Sequence, residues 1–218
     1  MENSFGVAAT FLEEVLGTTS ADPEVHQKFI LDRAVSKMLK SGLSKQEIEE
    51  RLDEEKQDVN PEEDLNLATT IFPKDEEGNP FLWDYQVKGF FKDAMHALIT
   101  SDMWTKEELK KARLTQYLYK KTIDQLVFIR PRKIPLVLPE GLEITFCERP
   151  LRAETMRGER IALARSEAVP AETSITFEVT TLAKNLTEYL LECLKYGTFR
   201  GIGQWRNSGK GRFVAKIT

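Results

Sequence analysis

Apolar and polar residues alternate most cleanly in "TSITFEVTTLA", which puts Ile175, Phe177 and Val179 on one face and polar residues on the other, the signature of a half-buried strand. A looser alternation in "SFGVAATFL" predicts a first strand from about Phe5 to Leu12, and "RFVAKI" predicts a closing strand at the other end of the chain. The helical period appears where Val87, Phe90, Phe91, Ala94, Met95 and Leu98 follow Tyr85, giving a helix with a broad apolar face. It appears again in "AKNLTEYLLECLKYG", where Leu182, Leu186, Leu190 and Leu194 recur at helical spacing before Gly197 as a C-cap.

Between these, Thr105 and Glu108 form a capping-box pattern, so a further helix is expected to run to about Tyr119. The stretch "DQLVFIRPRKIPLVLP" is β-rich but interrupted by Pro131 and Pro135, which confines it to an edge or a bulged strand. "LEITFCERPLRA" and "RIALARSEAVP" read as a hairpin with "MRGE" near its tip. Earlier in the chain, Asp22 and Pro23 open a helix carrying Val25, Phe29, Ile30, Ala34, Met38 and Leu39. Ser44 with Glu47 opens another, and "KQDVNPEEDLN" follows as a polar linker. Residues 20–68 are therefore read as an acidic helical insertion in a single domain spanning 1–218. The major elements run strand, helix, two strands, helix, strand. That order predicts an α+β fold, a ferredoxin-like or RRM-like antiparallel sheet with helices on one face.

Composition narrows the function classes. Cys147 and Cys193 are isolated and His26 and His96 are the two histidines, so no metal-ligand spacing exists, and no cofactor, metal or catalytic residue is assigned. No stretch has the apolar length of a membrane span and the acidic start does not resemble a signal peptide, so a cytoplasmic protein is expected. The net charge of -4 conceals an asymmetry: residues 1–78 hold 8 Lys or Arg against 19 Asp or Glu, leaving 23 against 16 in residues 79–218. The second part attracts nucleic acid and the first repels it.

The cationic excess concentrates near the end, in "YGTFRGIGQWRNSGKGRF". After Glu192 the chain holds Lys195, Arg200, Arg206, Lys210, Arg212 and Lys216 and no acid. A phosphate loop of the Gly-x-x-x-x-Gly-Lys-Ser/Thr type is excluded, because Gln204 stands at the first glycine and Gly211 at the hydroxyl. A dinucleotide fingerprint fails at Arg206. What remains is a glycine-rich loop able to bring backbone N–H groups and arginine forks to a phosphate, or else a turn-rich surface hairpin with solvated charges.

"DEEGNPFLWDYQVKGFFKDA" together with this loop resembles the paired signatures of the RAMP superfamily, the RRM-like proteins that include backbone subunits of CRISPR effector complexes. The matching positions are Gly78, Pro80, Phe81, Val87, Lys88, Gly89 and Lys92 in the first signature, and Gly197, Gly201, Gly203, Arg206, Gly209, Gly211 and Arg212 in the second. The chain departs from the family pattern at "WDYQ", where members carry Pro-Gly-Ser-Ser, and at Lys92, where arginine is common. A divergent, free-standing relative is the form the resemblance takes.

The resemblance implies binding of single-stranded RNA, or else of single-stranded DNA, without chemistry. The expected binding residues are Lys88, Lys92, Arg200, Trp205, Arg206, Lys210 and Arg212, with Gly89, Gly201, Gly203, Gly209 and Gly211 as the backbone positions. The N-terminus of the helix bearing Lys88 is expected to point toward a bound anion. Phe199, Phe213, Trp83 and Tyr85 join Trp205 as candidate stacking surfaces, and Arg130 to Lys133 with Arg149, Arg152, Arg157 and Arg160 could extend the path, or serve as edge charges. An alternative is an assembly or decoy module of a CRISPR-like or bacteriophage ribonucleoprotein, partnered with its subunits or with further copies along RNA. A metal-independent endoribonuclease would need His26 or His96 as acid or base, or Asp64, and nothing in the pattern supports one.

Overall fold

The computed structural model describes residues 3–21, 69–155 and 158–218. The helices read from Asp22 and Ser44, and His26 and Asp64, lie outside the described residues. In chain order the strands are β1 (Asn3–Phe11), β2 (Val15–Leu16), β3 (Thr19–Ser20), β4 (Thr69–Ile71), β5 (Phe81–Trp83), β6 (Val127–Arg130), β7 (Lys133–Pro135), β8 (Thr145–Thr155), β9 (Gly158–Val169), β10 (Ser174–Thr181) and β11 (Phe213–Ile217). The helices are α1 (Asp84–Thr100), α2 (Lys106–Lys111), α3 (Tyr119–Leu126) and α4 (Thr187–Tyr196). They group into two compact units, one of residues 1–15, 81–144 and 169–218, the other of 16–80 and 145–168.

The first unit is built on a four-stranded sheet in the order β11-β1-β10-β6, with every pairing antiparallel. With α1 between β1 and β6 and α4 between β10 and β11, this is the ferredoxin-like arrangement that the element order predicts. Val7, Ala9 and Phe11 of β1, Ile175, Phe177 and Val179 of β10, and Val127 and Ile129 of β6 are buried, and α1 and α4 supply Val87, Phe90, Phe91, Leu190 and Leu194 to the same core. Strand periodicity sends the opposite residues to the other face. There the register sets Ser4, Gly6 and Ala8 against Thr180, Glu178 and Thr176, so the two central strands carry no aromatic residue on that face.

The other unit carries a five-stranded sheet, β2-β9-β4-β3 with β8 on β9. The β8–β9 hairpin is antiparallel as expected, its tip at 156–157 lying outside the described residues. β4 runs parallel to β9, so this sheet is mixed. Its buried carboxylate, Glu167, accepts from the Phe72 backbone N–H at 2.7 Å and pairs with Lys74 at 3.1 Å.

Three sequence expectations are corrected. The helix opened by Thr105 stops at Lys111 instead of reaching Tyr119. Its cap is as expected, with the Glu108 N–H donating to the Thr105 hydroxyl at 3.3 Å, but Arg113 turns left-handed (φ 56°) and buries Leu114. Residues Asp124–Leu126, read as the start of a β-run, close α3 instead, and the strand begins at Val127. Leu182 precedes a 3-10 turn and is 48% exposed, and Leu186 is buried but ends that turn, so the apolar spacing that suggested a longer helix includes two residues outside α4.

Candidate nucleic-acid interface

The basic loop joins α4 to β11 and closes on itself. Ile202 N–H donates to the Gly211 carbonyl at 3.0 Å, and Ile202 is buried at the loop's base. The backbones meet so closely that a Cβ on Gly201 would overlap the Gly211 carbonyl, and one on Gly211 would overlap that of Ile202. These glycines thus serve backbone-to-backbone closure. Gly197 caps α4 in an ordinary helical conformation (φ −55°), and its lack of a side chain makes room for the Phe213 ring. Gly203 and Gly209 have φ of 94° and 83°, and Gly209 ends a short 3-10 turn, Arg206–Ser208.

Acids remote in sequence meet the loop's cations. Asp93, on α1, accepts through Oδ2 from Arg200 Nε at 2.7 Å and from Arg206 at 2.9 Å. Arg200 also donates to Asn207 Oδ1 at 2.9 Å. Glu13 pairs with Arg212 at 2.9 Å and Glu14 with Lys210, both glutamates following β1. The Gly211 N–H donates to the Glu14 carbonyl at 2.9 Å. The loop that carries no acid of its own is therefore clamped by three carboxylates from two other elements. Because the paired side chains are between 22% and 43% exposed, solvent screening keeps each pair weak, on the order of 1 kcal/mol or less.

Lys88 and Lys92 face elsewhere. Lys92 pairs with Asp124 of α3 at 2.5 Å, and Lys88 donates to the Asp124 carbonyl at 3.0 Å and lies over the Phe128 ring. They form a second basic cluster, one stripe around α1 from Gly89 and Asp93. The N-terminus of α1 is also occupied: Asp84 N–H donates to the Arg132 carbonyl at 2.8 Å, Tyr85 N–H to Asp84 Oδ1 at 2.8 Å, and Trp83 N–H to Gln86 Oε1 at 2.7 Å. Two of this helix's first N–H groups are thus taken by a side chain of the helix and a neighbouring carbonyl, so these two are not offered to an anion.

The aromatic candidates divide by burial. Trp83 (2% exposed) and Phe213 (1%) are core, so they offer no base a surface. Trp83 stacks on Tyr85 at 6.1 Å with the Arg132 guanidinium 5.1 Å from its ring, which ties the "RPRK" stretch to that cluster. Phe199 is 75% exposed and Trp205 40%. Trp205 sits in the left-handed region (φ 53°, ψ 34°), an unfavourable backbone for a bulky side chain. Of the hairpin arginines Arg149 is buried, while Arg152, Arg157 and Arg160 lie outside the residues whose side chains are described.

Other chemistry is sparse. His96 is exposed beside Tyr119, and no group of three or more His, Cys, Asp or Glu positioned for a metal occurs among the described residues. A cavity of about 560 Å3 between α2, α4 and β11 is rimmed by Glu108, Glu188 and Glu192, charges that disfavour a phosphate. No described helix is long and apolar enough to cross a membrane.

Fold and loop together define an RRM-like α+β protein with a basic, glycine-closed loop between its last helix and last strand. No family model matches the sequence, and no curated protein matches it. Among solved structures, the chain is similar to one from "Cryo-EM structure of the Type III-B Cmr-beta bound to cognate target RNA", with a TM-score of 0.51 and 10% identity over 100% of this chain. It spans 60% of that chain's length. Chains of a "Type IV-B CRISPR Complex" (TM-score 0.48, 10% identity, 99% of this chain and 90% of the other) and of Cmr6 from Pyrococcus furiosus (0.47, 10%, 99% and 99%) also match. At this identity the likeness concerns the fold alone, and that of the first of these chains agrees with the α+β, ferredoxin-like arrangement of the four-stranded sheet.

Proposed function

We propose that the protein binds single-stranded nucleic acid, RNA in preference to DNA, on the loop between α4 and β11 and without chemistry. The observation that carries this reading is Trp205, exposed in a strained left-handed backbone on a glycine-closed loop whose Arg200 and Arg206 are already oriented by Asp93. Strain in an exposed aromatic suggests that its position serves a contact, and an aromatic beside arginines suits a base next to its phosphate. The loop supplies the stacking surfaces, since β1 and β10 present no aromatic on the open face of the sheet and the exposed aromatic there, Phe128 of β6, already lies under the Lys88 ammonium. Arg212 and Lys210 continue the cationic path along the loop, and Lys88 and Lys92 offer a second, separate patch. The fold-level likeness to a chain in an RNA-bound complex agrees with this reading.

Filter binding at about 50 mM salt tests it: single-stranded RNA should be retained, single-stranded DNA less so, and duplex RNA poorly, because stacking needs unpaired bases. Equal retention of duplex and single strands would remove the stacking role. A second reading, assembly into a multi-subunit ribonucleoprotein or along RNA with further copies, draws on the same fold-level likeness, to a chain of the Type III-B Cmr-beta bound to cognate target RNA. Light scattering with and without an RNA oligomer separates the two: a monomer that stays one protein per short oligomer supports the binder, and growth along the oligomer supports assembly.

A further inference from the structure

We propose that Asp93 is an internal competitor for the phosphate that Arg200 and Arg206 are arranged to hold, so that its carboxylate occupies the anion's place and limits its affinity. This rests on the reading of the loop as a nucleic-acid interface and adds a seat and a regulator to it.

Two guanidiniums six residues apart converge on a single oxygen, Asp93 Oδ2, at 2.7 and 2.9 Å. That convergence is what a phosphate oxygen requires, and Asn207 fixes the other arm of the Arg200 fork at 2.9 Å. The three charged side chains are each about one-third exposed (34%, 34% and 30%), so the seat is open to a ligand. Gly89 lies one helical turn before Asp93, and nothing stands within 4 Å of where its Cβ would be, which leaves space over the helix beside the carboxylate. An exposed ion pair of this kind contributes little to folding. The two arginines and Asp93 sum to one positive charge. A phosphodiester entering the seat neutralises that charge but meets Asp93 a few ångströms away, a repulsion of about 1 kcal/mol in a water-like medium.

The test uses the full chain and its Asp93→Asn and Asp93→Glu variants, with a fluorescein-labelled single-stranded oligouridylate followed by anisotropy and tripolyphosphate followed by calorimetry. Thermal melting first establishes that each variant is folded. Asparagine keeps the size and removes the charge, so it should tighten oligouridylate binding roughly three- to tenfold at low salt. Glutamate restores the competing charge and should return affinity to the unsubstituted level. Weaker or unchanged binding in Asp93→Asn, or a glutamate variant that behaves like the asparagine one, overturns the proposal and makes Asp93 a positioning residue for the arginines. If no chain binds oligouridylate but Asp93→Asn tightens tripolyphosphate binding, the seat and its competitor stand and the nucleic-acid reading falls. If the tripolyphosphate affinity is also unmoved, the competitor falls with it.

Discussion

Gly201 and Gly211 lie backbone against backbone, so close that no side chain fits between them, and this contact closes the loop bearing Arg206, Lys210 and Trp205. Alanine at Gly201 must push the two backbones apart and break the Ile202 to Gly211 hydrogen bond. Its cost is expected to be about 2 to 4 kcal/mol, read as a lower melting temperature together with loss of RNA affinity. A variant that melts and binds like the unsubstituted protein would show that the loop does not depend on this closure.

Gly89 gives the opposite pattern. It is exposed in the middle of α1 with open space over its Cα, so Gly89→Ala should stabilise the fold by about 0.5 to 1 kcal/mol through helix propensity. If a nucleic-acid backbone approaches that surface, the same substitution weakens RNA binding. A stability gain with unchanged affinity would move the ligand away from this stripe of α1.

Trp205 and Phe199 are the exposed aromatics of the loop and its entry. Replacing Trp205 by alanine should weaken single-stranded RNA binding by about 1 to 3 kcal/mol, the range for a stacked base, while phenylalanine retains most of the affinity. Quenching of tryptophan fluorescence on adding RNA offers a second readout, which should vanish in Trp205→Phe because Trp83 is core and the half-buried Trp104 lies against Tyr189 in the acid-rimmed cavity. Quenching that persists in Trp205→Phe would assign the signal to another tryptophan.

Cys193 is buried in α4 with Sγ 3.9 Å from the Phe91 carbonyl, and burial together with the Glu192 charge pushes its thiol well above the usual range. A thiol so raised stays protonated at neutral pH and reacts slowly, since the thiolate is the nucleophile. In the folded protein a thiol reagent at pH 8 should therefore titrate Cys147, which is half-buried, and reach Cys193 only in denaturant. Two fast-reacting thiols in the native state would contradict this packing of α4 against α1.

The sheet was legible from the sequence because its strands alternate and its helices repeat with the right period, as Ile175, Phe177 and Val179 or Val87, Phe91 and Ala94 illustrate. The stretch Ala112–Leu126 was not, because the helix is broken by a left-handed Arg113, a conformation that no glycine announces. The loop was visible as a cationic, glycine-rich run, but its electrostatics were not. Glu14 lies 196 residues from Lys210 and Asp93 113 from Arg206, distances along the chain that only the fold removes. One signal was available. In a sheet ordered β11-β1-β10-β6, the end of β1 lies beside the start of β11, which brings Glu13 and Glu14 to residues 210–212. The aromatics show the same limit, because Trp83 and Trp205 look alike in sequence, and only burial assigns one to the core and leaves the other exposed.

The salt dependence of single-stranded RNA affinity, measured for the unsubstituted protein and for Arg206→Ala/Lys210→Ala/Arg212→Ala, tests the central claim most directly. If the loop grips the phosphate backbone, log K falls linearly with log salt, by about 0.7 for each phosphate contacted, and the triple variant binds more weakly with a shallower slope. The variant should still fold, because the pairs it removes with Asp93, Glu13 and Glu14 are partly exposed and weak. No affinity at low salt, or a folded triple variant with the same affinity and slope as the unsubstituted protein, would contradict the account.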